Sequence, residues 1–100
     1  MNLKNKKVII TGATGGIGNS LVKKFTDSGA NVLATGTKEE KLNKLKDQFN
    51  TIYIEKFKLE EHKNIESFID LASSKLGGID ILINNAGITL DSLTIRLSEE

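Results

Sequence analysis

Short runs of apolar residues alternate along the chain with longer stretches in which apolar positions recur every three or four residues. Val8-Ile9-Ile10-Thr11 is a continuous β-branched run ended by glycines, the pattern of a strand covered on both faces. Ile17, Leu21, Val22 and Phe25 then recur at helical spacing, and Gly29 supplies a C-terminal stop. A second short run, Val32-Leu33-Ala34, precedes a helix carrying Leu42, Leu45 and Phe49, for which Thr37 and Glu40 form a candidate capping box and Asn50 the close. Ile52-Tyr53-Ile54, with Phe57 and Leu59, predicts a third strand. Ile65, Phe68, Ile69, Ala72 and Leu76 share one helical face before the Gly77-Gly78 stop, and Ile79 to Ile83 predicts a fourth strand. Four strands alternating with three helices of this length indicate right-handed βαβ crossovers. The expected fold class is α/β with a doubly wound parallel sheet, and no domain boundary falls inside the chain.

Composition narrows the function classes. The chain has 100 residues, 14 lysines and arginines against 13 acids, and a formal net charge of +1, so no field favours nucleic acid or an anionic membrane. The lysines of the second helix, Lys38, Lys41, Lys44 and Lys46, lack an accompanying aromatic platform and read as a solvated face. There is no cysteine, which excludes disulfides and thiolate metal sites and fits a reducing, cytoplasmic setting. His62 is the only histidine, and one imidazole does not complete a metal shell. No apolar run approaches the roughly 20 residues of a membrane helix, and the N-terminal residues lack a signal peptide's apolar core.

The candidate chemistry lies between the first strand and first helix, in Thr11-Gly12-Ala13-Thr14-Gly15-Gly16-Ile17-Gly18. A parallel sheet places its ligand crevice at this point, glycines allow a sharp turn and close backbone approach, and the helix N-terminus attracts a phosphate. The phosphate loop of nucleoside triphosphatases is excluded, because Ile17 stands where its second glycine belongs and no lysine follows. Gly18 has a second use, since a missing side chain lets the helix pack closely. At the end of the fourth strand, Asp80-Ile81-Leu82-Ile83-Asn84-Asn85-Ala86-Gly87 places two amides and two small residues beside the same crevice. The amides suit bridging of neighbouring backbones.

These two motifs, in this order and at this distance, resemble the signature of the short-chain dehydrogenase/reductase family: Thr-Gly-x-x-x-Gly-x-Gly followed by Asn-Asn-Ala-Gly after strand four. The segment Asn85 to Thr89, with Asp91, Leu93 and Arg96, is similar to that of bacterial 3-oxoacyl-[acyl-carrier-protein] reductases of fatty-acid synthesis. The resemblance implies a Rossmann-like fold, of which residues 1–100 are the N-terminal dinucleotide-binding part. It also implies a hydride passed from a nicotinamide to a ketone, with an acyl-carrier-protein thioester as substrate and a homotetramer as the complete assembly.

Carried over by position, Gly12, Ala13, Thr14, Gly15, Gly16, Ile17 and Gly18 line the phosphates and ribose. Asn85, Ala86 and Gly87 flank the adenosine, and Lys58 and Leu59 occupy the adenine-contacting position where the family often has Asp or Asn. The family's catalytic tyrosine, lysine and serine come later. Tyr53, the single tyrosine, has Phe57 four residues on, so no Tyr-x-x-x-Lys pair exists, no catalytic residue is assigned and these hundred residues are expected to be inactive alone. Ser98-Glu99-Glu100 reads as a helix start, and an unpaired fourth strand would be a bare edge, both expected of a chain that continues.

NADP is the expected cofactor. NAD-selective relatives place an acid at the end of strand two, and here that position is Gly36. Thr37 and Lys38 follow, with Thr37 either a phosphate partner, a helix cap or both. The basic residue that many NADP-dependent members carry beside the glycine turn is Gly15 here, which leaves Lys38 as the candidate replacement. The alternatives are another short-chain reductase, acting on a sugar or steroid, and a non-catalytic nucleotide-binding module.

Overall fold

A computed structural model describes residues 3–57, 65–85 and 94–97, with backbone only for Ile65 and for 94–97. In chain order the elements are β1 (Lys7–Ile10), α1 (Gly16–Asp27), β2 (Asn31–Gly36), α2 (Glu39–Gln48), β3 (Tyr53–Lys56), α3 (Ile65–Leu76), β4 (Ile81–Asn84) and β5 (Thr94–Leu97). The sheet order is β3-β2-β1-β4-β5, with the first four strands parallel as expected. This is a Rossmann-like, doubly wound arrangement, and the direction of winding reverses between β1 and β4, where such sheets open a crevice.

The continuous apolar runs are explained by two cores. Val8, Ile10, Val32, Ala34 and Ile83 pack with Val22 of α1 and Leu45 of α2 on one face. Their neighbours Ile9 and Leu33 pack with Phe68, Ala72 and Leu76 of α3 on the other. Alternate side chains therefore point to opposite helical layers, and Val8, Ile9 and Ile10 are all buried. Gly29, at φ 89°, and Gly77, at φ 82°, take the left-handed conformation that ends α1 and α3.

Ile17 lies in α1 as its spacing predicts and is 71% exposed in the first turn, which begins at Gly16. Three expectations need correction. The Thr37–Glu40 capping box does not form: the N-cap is Lys38, without a side-chain cap, and Thr37 lies one residue further out. β3 ends at Lys56, so Phe57 follows the strand, while Leu59 lies outside the described residues. The edge of β4 is not bare, since β5 pairs antiparallel along it, Leu82 opposite Arg96 and Ile83 opposite Ile95, which satisfies the backbone groups that an edge would expose. His62 and residues 98–100 lie outside the described residues.

Candidate nucleotide site

The glycine turn is built by backbone constraints from three directions. The Thr11 amide donates to the Ile83 carbonyl at 3.0 Å, tying the turn's entry to β4, and the Ala13 amide donates to the Thr35 carbonyl at 3.0 Å, tying its middle to β2. Gly12 adopts φ 61°, the left-handed region that a side chain disfavours, so the chain reverses there. Gly18 then closes the turn from the helix side. A Cβ on Gly18 would sit 2.2 Å from the Gly12 carbonyl oxygen and 2.6 Å from Ala13 Cα, so its glycine serves the contact of α1 with the turn itself.

Gly15 and Gly16 behave differently. A Cβ on Gly16 would meet nothing within 4 Å, and one on Gly15 only the Gly12 carbonyl at 4.0 Å. Packing within the described fold does not require these two glycines. They leave bare backbone facing open space at the start of α1, where no side chain caps the helix and no acid stands in the first turn. The first helical amides and the positive end of the helix dipole therefore face a cradle that side chains at Gly15 or Gly16 would begin to fill. That arrangement suits a phosphate group.

The asparagine motif completes the far wall. The Thr11 hydroxyl donates to Asn84 Oδ1 at 2.9 Å and accepts the Asn85 amide at 2.8 Å, while Asn85 Nδ2 donates to the Gly12 carbonyl at 3.3 Å. The bridging expected of the amides is thus present, with Thr11 as its hub. Thr11 was legible in the motif, but its hydroxyl carried no signal of its own role. Thr11→Val would leave the Asn85 amide without its acceptor at a half-buried position. The expected loss is about 1–3 kcal/mol of stability, visible as a lower melting temperature, with Thr11→Ser close to wild type.

A cavity of about 170 Å3 opens beside the turn, lined by Thr11, Gly12, Thr14, Thr35, Gly36, Thr37 and Phe57. This is room for one end of an elongated ligand. Gly36 ends β2 with its missing side chain toward Thr14, whose Cγ2 lies 3.2 Å from where a Cβ would stand. Phe57, which the sequence suggested only as a strand residue, is held at the wall by the hydrogen bond that its amide donates to the Gly36 carbonyl at 2.9 Å. It also stacks on Phe68, with ring centroids 4.3 Å apart. Thr37, one of the lining residues, and its neighbour Lys38 are exposed, and among the described residues none that lines the cavity carries a carboxylate. Of the anticipated site residues, the structure brings Gly12, Ala13, Thr14, Gly15, Gly16, Ile17, Gly18, Thr37 and Asn85 around one end of the sheet. Lys58, Leu59, Ala86 and Gly87 lie outside the described residues.

Residues 6–100 match the family model described as short chain dehydrogenase. The chain belongs to the short-chain dehydrogenase family. It is 35% identical to the 3-oxoacyl-[acyl-carrier-protein] reductase of Vibrio cholerae over 101 residues, covering all of this chain and 41% of that protein. It is 37% identical to an NADP-dependent 3-hydroxy acid dehydrogenase of Escherichia coli over 84 residues, covering 83% of this chain and 34% of that one. A short chain dehydrogenase from Mycobacterium smegmatis superposes with a TM-score of 0.80 at 28% identity, over 86% of this chain and 38% of that structure. The chain thus spans about two fifths or less of the length of these family members. Tyr53 stands at the start of β3 at the sheet edge, well placed as a strand residue. Among the described residues no group of metal ligands assembles, and no helix is long and apolar enough to cross a membrane.

Proposed function

We propose that the complete protein is an NADPH-dependent reductase of 3-oxoacyl thioesters carried on acyl carrier protein, and that this chain supplies its cofactor-binding part. The observation that carries the cofactor reading is Gly36: the end of β2 offers no carboxylate to hold, or repel, the substituent on an adenosine ribose. When bound, the nicotinamide would supply a hydride to the substrate's ketone carbon. The residues here bind and orient. Amides of the α1 N-terminus at Gly15 and Gly16 receive the pyrophosphate, Thr14 and Gly36 shape the ribose side, and Thr37 with Lys38 present a hydroxyl and a cation to a 2′-phosphate. Asn85 holds the Gly12 carbonyl and so keeps the turn open.

The substrate class draws support from the Vibrio relative and from the segment between Ile88 and Arg96. A second reading is favoured by the E. coli relative, a 3-hydroxy acid dehydrogenase of comparable identity: a free 3-oxo acid as substrate. Oxidation of NADPH by the complete protein, followed with acetoacetyl-acyl carrier protein against free 3-oxo acids, separates them. Turnover only of the thioester supports the first reading, and turnover only of the free acid supports the second. Assembly as a homotetramer in the cytoplasm belongs to the same proposal.

The Lys38 assignment has its own test. Lys38→Ala is expected to weaken NADPH binding about two- to fivefold at low ionic strength and to leave NADH binding unchanged, with the difference fading as salt rises. Titration of both nucleotides at two ionic strengths checks it.

A further inference from the structure

The Thr35 hydroxyl is the unexplained polar group of the cavity. Thr35 lies on β2, two residues beyond Leu33 on the face covered by α3, and it is only 1% exposed. It nevertheless lines the cavity, between the glycine turn and Phe57. Its backbone carbonyl is engaged by the Ala13 amide, yet its Oγ1 is buried with no hydrogen-bond partner among the described residues. A buried, unpaired hydroxyl opposes folding, and valine has the same shape, suits a strand better and lacks the penalty. The neighbouring threonine of the turn, Thr11, shows the contrast, since its hydroxyl both donates and accepts.

We infer that Thr35 is a positioning residue for the nucleotide, its hydroxyl completed by a hydrogen bond from or to the adenosine half of the dinucleotide, an inference resting on the proposed cofactor reading. The choice of the adenosine half follows from place. The cavity adjoins the end of β2, where such folds hold the adenosine ribose. Phe57, fixed against Phe68, gives the same cavity an aromatic wall suited to a base. A hydroxyl is both donor and acceptor, so it can serve either polarity of partner.

The test uses the complete protein, with NADPH and 2′,5′-ADP, which presents the adenosine half alone, as probes. Thr35→Val is expected to weaken both probes by the same factor, about three- to tenfold, while the ligand-free protein melts no lower than wild type. Thr35→Ser should restore the affinity. A purely structural threonine would not give that split between stability and affinity. Unchanged affinity in the valine variant overturns the assignment, as does a lowered melting temperature without ligand, which would show that the hydroxyl is satisfied within the fold. A serine variant as weak as valine also overturns it. Failure of the wild-type protein to bind either probe would instead remove the cofactor reading on which the assignment rests.

Discussion

Gly18→Ala is expected to destroy the nucleotide site and destabilise the domain together. The added Cβ would lie 2.2 Å from the Gly12 carbonyl oxygen and under 3 Å from two backbone atoms of Ala13, so no side chain can swing aside to relieve it. Either α1 moves off the turn or the turn moves off β2, breaking the bond from the Ala13 amide to the Thr35 carbonyl. Overpacking usually costs about 1–3 kcal/mol, and a backbone clash of this depth belongs at or above that limit. The melting temperature should fall by on the order of 10 °C and dinucleotide binding should be lost. Gly16→Ala is the informative companion. Its Cβ meets nothing within 4 Å, so stability should hold while binding weakens if a phosphate approaches that backbone. Thermal melts and titrations of the two variants check both statements.

Gly36→Asp is expected to reverse cofactor preference. The carboxylate would stand at the end of β2, where it accepts hydrogen bonds from ribose hydroxyls and repels a 2′-phosphate. Two like charges about 4 Å apart interact by roughly 1–4 kcal/mol in surroundings between bulk water and a protein surface, so NADPH affinity should fall at least about tenfold while NADH affinity rises. The new Cβ lies 3.2 Å from Thr14 Cγ2 and 3.6 Å from Leu42 Cδ2, contacts that a few tenths of an ångström of side-chain movement relieve. Gly36→Ala therefore serves as the control for size without charge, and should keep NADPH. Unchanged preference in the aspartate variant, measured by titration of both nucleotides, would contradict the assignment.

Much of the fold was written in periodicity. β1 and β2 are buried on both faces, so their apolar runs are continuous, and α1, α2 and α3 show one apolar face each. Where expectation failed, the competing effect can be named. The Thr37–Glu40 spacing fits a capping box, but β2 runs on through Gly36 and the helix starts one residue later than that box requires. The antiparallel β5 has no strong local signature, because Thr94 to Leu97 is a four-residue stretch whose pairing with β4 is a tertiary event.

The site divides in the same way. Glycines and asparagines announced themselves because their types are restricted by backbone geometry and by bridging. Gly36 does end β2, and Gly18 does serve the close packing of α1, although its partner is the turn itself rather than the sheet. Thr11, Thr35 and Phe57 were not assigned roles, since threonine and phenylalanine are ordinary strand residues and only the three-dimensional arrangement shows a hydroxyl acting as a hub, another left unpaired, and a ring fixed at a wall. The difference lies between residues selected for backbone conformation, which sequence displays, and residues selected for what stands opposite them.

The central claim, that the crevice between the glycine turn and the end of β2 holds NADPH by its phosphates and adenosine, is tested most directly by calorimetric titration of the complete protein with NADPH and NADH. Saturable binding of NADPH at one site per chain, at least about tenfold tighter than NADH and weakened by added salt, is the predicted result. Equal affinity for the two nucleotides, or binding of neither, would contradict it.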